Sequence, residues 1–160
     1  MGLFDTIINI KNLVTGGSAE VHLELSKVTL GEPFKIRMRA DVADNDLKID
    51  GAFLEIQGIE EIEVPHDIPK TDTKTAENQQ KDKTEIIRKT TVTSEQKITM
   101  AEKMELKANE EYVWDAVAEL ASHNQPVYKG KYCTHTYRVK AYLDCYGNDP
   151  DSGWVSLDIE

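Results

Sequence analysis

The chain has 160 residues and a mass of 18.1 kDa, room for one domain with a sizeable core. Hydrophobic residues make up 39%, which places it among globular rather than disordered chains. Nineteen basic against twenty-nine acidic residues give a net charge of −10 and a pI near 4.9, the wrong sign for a nucleic-acid or anionic-membrane surface.

No stretch approaches the roughly 18 consecutive apolar residues of a membrane span. The opening residues are not read as a signal peptide, because no basic residue precedes the apolar stretch and Asp5 sits inside it. Met1-Gly2-Leu3-Phe4-Asp5-Thr6 satisfies the loose myristoylation pattern. Lys11 is, however, the only basic residue before residue 27, and a single acyl chain binds membranes marginally, so membrane anchoring is not expected.

Leu3, Phe4, Ile7, Ile8, Ile10 and Val14 recur at helical spacing ahead of Gly16-Gly17, so an amphipathic helix is expected over residues 1–17. From residue 18 the period becomes two, and residues 18–160 read as one sandwich domain. Val21, Leu23 and Leu25 alternate with His22, Glu24 and Ser26. After the turn Leu30-Gly31-Glu32-Pro33, Phe34, Ile36, Met38, Ala40 and Val42 alternate with Lys35, Arg37, Arg39 and Asp41, giving one core face and one wet face. Asp44-Asn45-Asp46 forms the next turn. Ile49 to Ile56 and Ile59 to Val64 read as two shorter strands broken near Gly58.

Pro65 closes that block, and the polar, aperiodic stretch 66–82 is expected to be a long exposed loop. Thr84 to Thr93, with Ile86, Ile87, Val92 and four threonines, favours a strand. Ile98 to Leu106 fits strand or helix and is taken as strand. Tyr112 to Leu120 also fits both periods, and its residues leave the choice open. Ser122 to Gly130 is an exit loop. Tyr137, Val139, Ala141, Leu143 and Cys145 then alternate with Thr136, Arg138, Lys140, Tyr142 and Asp144, and Trp154 to Ile159 forms a last short strand. About eight short antiparallel strands, with no internal repeat, argue an all-β, immunoglobulin-like antiparallel β-sandwich.

Cys133 and Cys145 fall on one extended strand, where twelve steps of about 3.3 Å hold them roughly 40 Å apart and exclude an intrachain disulfide. Two unpaired thiols fit a cytoplasmic chain. The four histidines, at 22, 66, 123 and 135, show no metal-binding spacing. Cys133 and His135 share a strand face, which could set a thiolate beside an imidazole, but no third orienting residue is evident. Asp144, Asn148, Asp149 and Asp151 crowd one turn without meeting the calcium-loop pattern, and ordinary turn chemistry explains them. Asp41 to Asp72 holds ten carboxylates against Lys48 and Lys70, most of the net charge, and offers a docking surface for a basic partner. No phosphate-binding loop, dinucleotide fingerprint or nucleophile elbow occurs. No catalytic, cofactor-binding or metal residue is therefore assigned.

Read in order, these pieces resemble the amino-terminal domain of the arrestin-fold superfamily, and most of all its bacterial branch, the arrestin-like sporulation-control proteins. The resemblance runs through Val21-His22-Leu23-Glu24-Leu25 into Leu30-Gly31-Glu32-Pro33-Phe34, then Glu110-Glu111-Tyr112-Val113-Trp114. It continues at Gln125-Pro126-Val127-Tyr128-Lys129-Gly130, at His135-Thr136-Tyr137-Arg138-Val139-Lys140-Ala141 and at Asp149-Pro150-Asp151-Ser152-Gly153-Trp154. It makes Tyr112 to Leu120 a strand. Three departures stand out: family members usually carry two such domains and this sequence reads as one, the leucine-proline ending the late core strand is Leu120-Ala121 here, and the phosphate-sensing basic residues of animal arrestins have no aligned counterparts. The resemblance implies a non-enzymatic adaptor or regulatory protein-binding module, with receptor binding not carried over. The alternative is a self-assembling structural subunit, a homo-oligomer packed through its amino-terminal helix.

Overall fold

The computed structural model describes residues 8–10, 17–67 and 84–160. Ten strands follow one another: β1 (Ile8–Ile10), β2 (Ala19–Leu25), β3 (Pro33–Val42), β4 (Leu47–Asp67), β5 (Thr84–Ala101), β6 (Met104–Leu106), β7 (Glu111–Glu119), β8 (Tyr128–Lys129), β9 (Cys133–Cys145) and β10 (Val155–Ser156). The first sheet runs β1-β2-β3-β7, and the second runs β10-β9-β4-β5, with β6 beside β4 and β8 beside β9. Every pairing between strands is antiparallel. Among the described residues no helix is long and apolar enough to cross a membrane.

Period two builds the core. Alternate residues of β2 and β3, with Phe34, Ile36 and Met38 at the centre, face Leu54 and Ile56 of β4 and Val139 and Leu143 of β9. The odd positions of β3 and β7 face outward, where Arg37 holds Asp115 through two bonds of 2.7 and 3.0 Å. Gly31 turns the chain from β2 into β3 with φ +80°, which an L residue rarely adopts, and its amide donates to Leu120 O at 2.7 Å. The expected strands at 21–26, 34–42, 112–120 and 136–145 are all present. Cys133 and Cys145 terminate the same strand and are both free, as the spacing required.

Five expectations need correction. Within the expected opening helix, Ile8–Ile10 form a strand whose backbone pairs with Leu25 to Leu23; the rest of that stretch, 1–7 and 11–16, lies outside the described residues. Ile8 and Ile10 satisfy period two as well as the helical period, and the open side of β2 supplies hydrogen bonds that local propensity does not count. The two short strands around Gly58 are one strand of 21 residues. Of the expected polar loop, His66 and Asp67 belong to β4, paired with Glu85 and Thr84, and residues 68–83 lie outside the described residues. The exit loop contains β8, and the last strand is reduced to Val155–Ser156, with Ile159 bridging in parallel to Val28.

Gly58 is the site of a bulge instead of a break. Gly58 pairs with Ser94 and Ile59 with Val92, leaving Thr93 as an extra residue on β5. A Cβ at Gly58 would sit 2.5 Å from Thr93 Oγ1, 2.7 Å from Ser94 Oγ and 3.0 Å from the Tyr137 ring. Gly58→Ala must therefore push two short hydroxyl side chains and a buried ring. It should cost about 1–3 kcal/mol in urea unfolding, and an unchanged midpoint would show that this close approach is not a constraint.

Candidate functional site

The inward face of the second sheet changes character beyond Ile56. Past Gly58, Glu60 follows on β4, and opposite it His135 and Tyr137 follow on β9. The first sheet does not extend over this end. The segment from Ser122 to Tyr128 covers it instead, and the core ends in a polar cap.

The cap is closely bonded. Tyr137 donates its hydroxyl to Gln125 O at 2.6 Å. His135 is fully buried, with Nδ1 3.0 Å from Pro126 O and Nε2 2.7 Å from Thr93 Oγ1. A carbonyl only accepts, which places the proton on Nδ1 and leaves Nε2 to accept from the threonine hydroxyl. Tyr128 stacks on the imidazole at 6.1 Å, and the Tyr137 ring meets it edge-on at 5.0 Å. Glu60 Oε2 accepts from Gln125 Nε2 at 2.7 Å and from the Tyr128 hydroxyl at 2.8 Å. Since that hydroxyl gives its proton to Glu60, the Cys133 thiol, 3.0 Å away, donates to the tyrosine oxygen. The bonds from Gln125 and Tyr128 hold the Glu60 carboxyl below the usual glutamate range. The bond to Glu60, which accepts the phenolic proton, pushes the Tyr128 hydroxyl well above the tyrosine range.

Cys133 and His135 share a face as expected, and each is hydrogen-bonded to another partner: the thiol to Tyr128, the imidazole to Pro126 and Thr93. A cleft of about 480 Å³ reaches Cys133 between the β4–β5 arm and the β8–β9 turn. Glu61, Glu63, Lys129 and Lys131 line it, a set of mixed charge.

The other candidate positions also have partners within the fold. In the acidic turn, Asp149 Oδ1 accepts from Cys145 N at 3.0 Å and Asp151 Oδ1 from Gly153 N at 2.7 Å. Ser152 Oγ accepts from Ala141 N, tying this return to β9. Trp154 then lies under Arg138 and Lys140, 4.1 and 4.7 Å from its ring. Burial, with the nearby Asp149 and Asp144 charges, pushes the Cys145 thiol up. The acidic run from Asp41 is spread over β3, the turn after it and β4, and meets cations at several places: Asp46 with Lys107, Asp50 with Lys103, Glu55 with Lys140, Glu63 with Arg88. On β4, Glu55, Glu61 and Glu63 share the face opposite to that of Glu60. His123 is exposed in the loop before Gln125, and His66 lies at the far end of β4. His22, one of the four histidines without metal-binding spacing in the sequence, has Glu20 and Asp41 as neighbours, the set of ligand-type atoms that converges among the described residues.

What the sequence does not single out is the edge. β5 closes the second sheet, and beyond Ile62 the arm it makes with β4 leaves β9 behind and continues as a two-stranded ribbon. Ile86, Ile87 and Val92 are 53%, 51% and 49% exposed along it.

No protein-family model matches the sequence, and no curated protein matches it. Among solved structures, it is similar to the crystal structure of Spo0M, a sporulation control protein from Bacillus subtilis. The TM-score is 0.60 at 18% identity, over 90% of this chain and 50% of that one, so the chain spans about half of Spo0M's length. The fold is an all-β antiparallel sandwich similar to that of Spo0M.

The cap makes stability depend on pH. A carboxylate whose folded-state pKa is depressed stabilises the fold at neutral pH, and that contribution is lost as pH falls through its folded value. Glu60→Gln should therefore be less stable than the parent at neutral pH, with the gap closing below about pH 4. Urea midpoints across a pH series test this, and a gap independent of pH would contradict the role given to Glu60.

Proposed function

We propose that the chain is a non-enzymatic cytoplasmic adaptor or regulatory module that holds another protein along the free edge of β5. The observation that carries this reading is the edge itself: among the described residues, eighteen residues with one side paired to β4, the other side unpaired, and β-branched residues half exposed along them. Such an edge offers unpaired backbone donors and acceptors to an incoming strand, and its side chains set which strand fits. The commitments of Cys133 and His135 to Tyr128, Pro126 and Thr93 support a module without catalysis. The arrestin-like fold supports an adaptor role by analogy alone. A net charge of −10 favours a basic partner.

Lysines placed at Ile86 and Val92 would charge the edge without entering the core. Capture of a partner from native lysate by the intact chain should fall at least about tenfold in Ile86→Lys/Val92→Lys and weaken as salt rises. Light scattering on the same samples should give a monomer at low and high salt. A salt-insensitive oligomer whose partner capture ignores the double substitution would overturn this reading in favour of a self-assembling subunit packed through its opening segment.

A further inference from the structure

Glu20 and His22 lie two apart on β2 and so face the same way, outward from the first sheet. The β2–β3 register sets Glu20 opposite Asp41 and His22 opposite Arg39. This brings His22 Nε2 to 3.3 Å from Asp41 Oδ2 and 3.6 Å from Glu20 Oε2, with all three ligand-type atoms within 4.8 Å of one another. The imidazole is only 12% exposed, and its Nε2 is shielded from solvent and makes no hydrogen bond. A buried, unpartnered polar atom is rare and calls for a partner.

The spacing suggests one. Metal ligands about 2.0–2.2 Å from a tetrahedral centre lie about 3.3–3.6 Å apart, which is the separation between Nε2 and each carboxylate oxygen. We infer that Glu20, His22 and Asp41 form a binding site for a zinc-like divalent transition-metal ion. One imidazole nitrogen with two carboxylate oxygens suits such an ion, whereas calcium and magnesium take oxygen ligands. A neutral imidazole and two carboxylates would match its charge, leaving a fourth position for water. A hollow of about 270 Å³, lined by Glu20, Asp41, Gly17 and Ala43, opens beside the carboxylates and gives an ion a way in.

Arg39 is the competitor. Its Nε lies 3.5 Å from the same Asp41 Oδ2 and 3.9 Å from Glu111 Oε2, and like His22 Nε2 it makes no hydrogen bond. An ion that takes Asp41 Oδ2 leaves Glu111 to hold the guanidinium. The metal reading therefore makes a directional forecast that a plain ion-pair network does not: removing Arg39 should strengthen metal binding.

The test is calorimetric titration of zinc chloride into the intact chain, with thermal melting at saturating zinc as a second readout. The parent should bind one equivalent and melt higher with zinc. His22→Gln and Glu20→Gln, each checked for an unchanged fold, should bind at least about tenfold more weakly and lose the melting shift, and Arg39→Gln should bind more tightly. No zinc binding would overturn the site. So would binding that survives both His22→Gln and Glu20→Gln, which would mark an adventitious ion on other histidines or thiols.

Discussion

The register of β4 is the constraint on which the rest depends. This single strand pairs with β9 on one side and with β5 and β6 on the other, so its alternation decides which residues of three neighbours meet the core. A slip of one residue would turn Leu54 and Ile56 outward and Glu55 and Gln57 inward. The bulge opposite Gly58 is a controlled slip: β5 gains Thr93 while the β4–β9 ladder continues unbroken from Gly51 to Ile62. Thr93 is thereby aimed at His135, completing the hydrogen bonding of a buried imidazole. The same glycine that lets β5 approach thus allows the apolar core to end in the polar cap.

Local alternation was enough to read the strands buried on one face. Val21 to Leu25, Phe34 to Val42 and Tyr137 to Cys145 show period two because one side meets the core and the other meets water. β4 was harder, since Gly58 in an otherwise apolar run looks like a boundary, and only the ladder to β9 shows that the strand continues. β5 carries almost no alternation because nearly all of it is exposed on both faces. Its strand character rests on threonine and isoleucine content alone. Ile8–Ile10 satisfy both periods, and an available backbone partner on β2 decided between them.

The sites follow the same rule. That Cys133 and His135 share a face was legible from their spacing. Their partners were not, since Thr93 and Pro126 arrive from a bulge and a loop far away in sequence. Glu20 and His22 were likewise visible as a same-face pair, but Asp41 joins them only through the β2–β3 register. The acidic run from Asp41 was legible as a run but not in its placement: Asp41 lies on β3, whereas Glu55, Glu61 and Glu63 share one face of β4, and several of its carboxylates meet cations of other strands. Among the described residues β5 leaves one side unpaired along its length, which is why the proposed docking line runs along it.

The claim that β5 is, among the described residues, a free edge interrupted by bulges at Thr93 and Met100 is most directly tested by residue-resolved amide hydrogen exchange on the intact chain. Amides of β5 that point to β4 should be protected and their alternate neighbours should exchange freely, with the alternation shifting by one residue at Thr93 and again at Met100. Protection at every residue from Thr84 to Ala101, or alternation running unbroken through Thr93, would contradict the account.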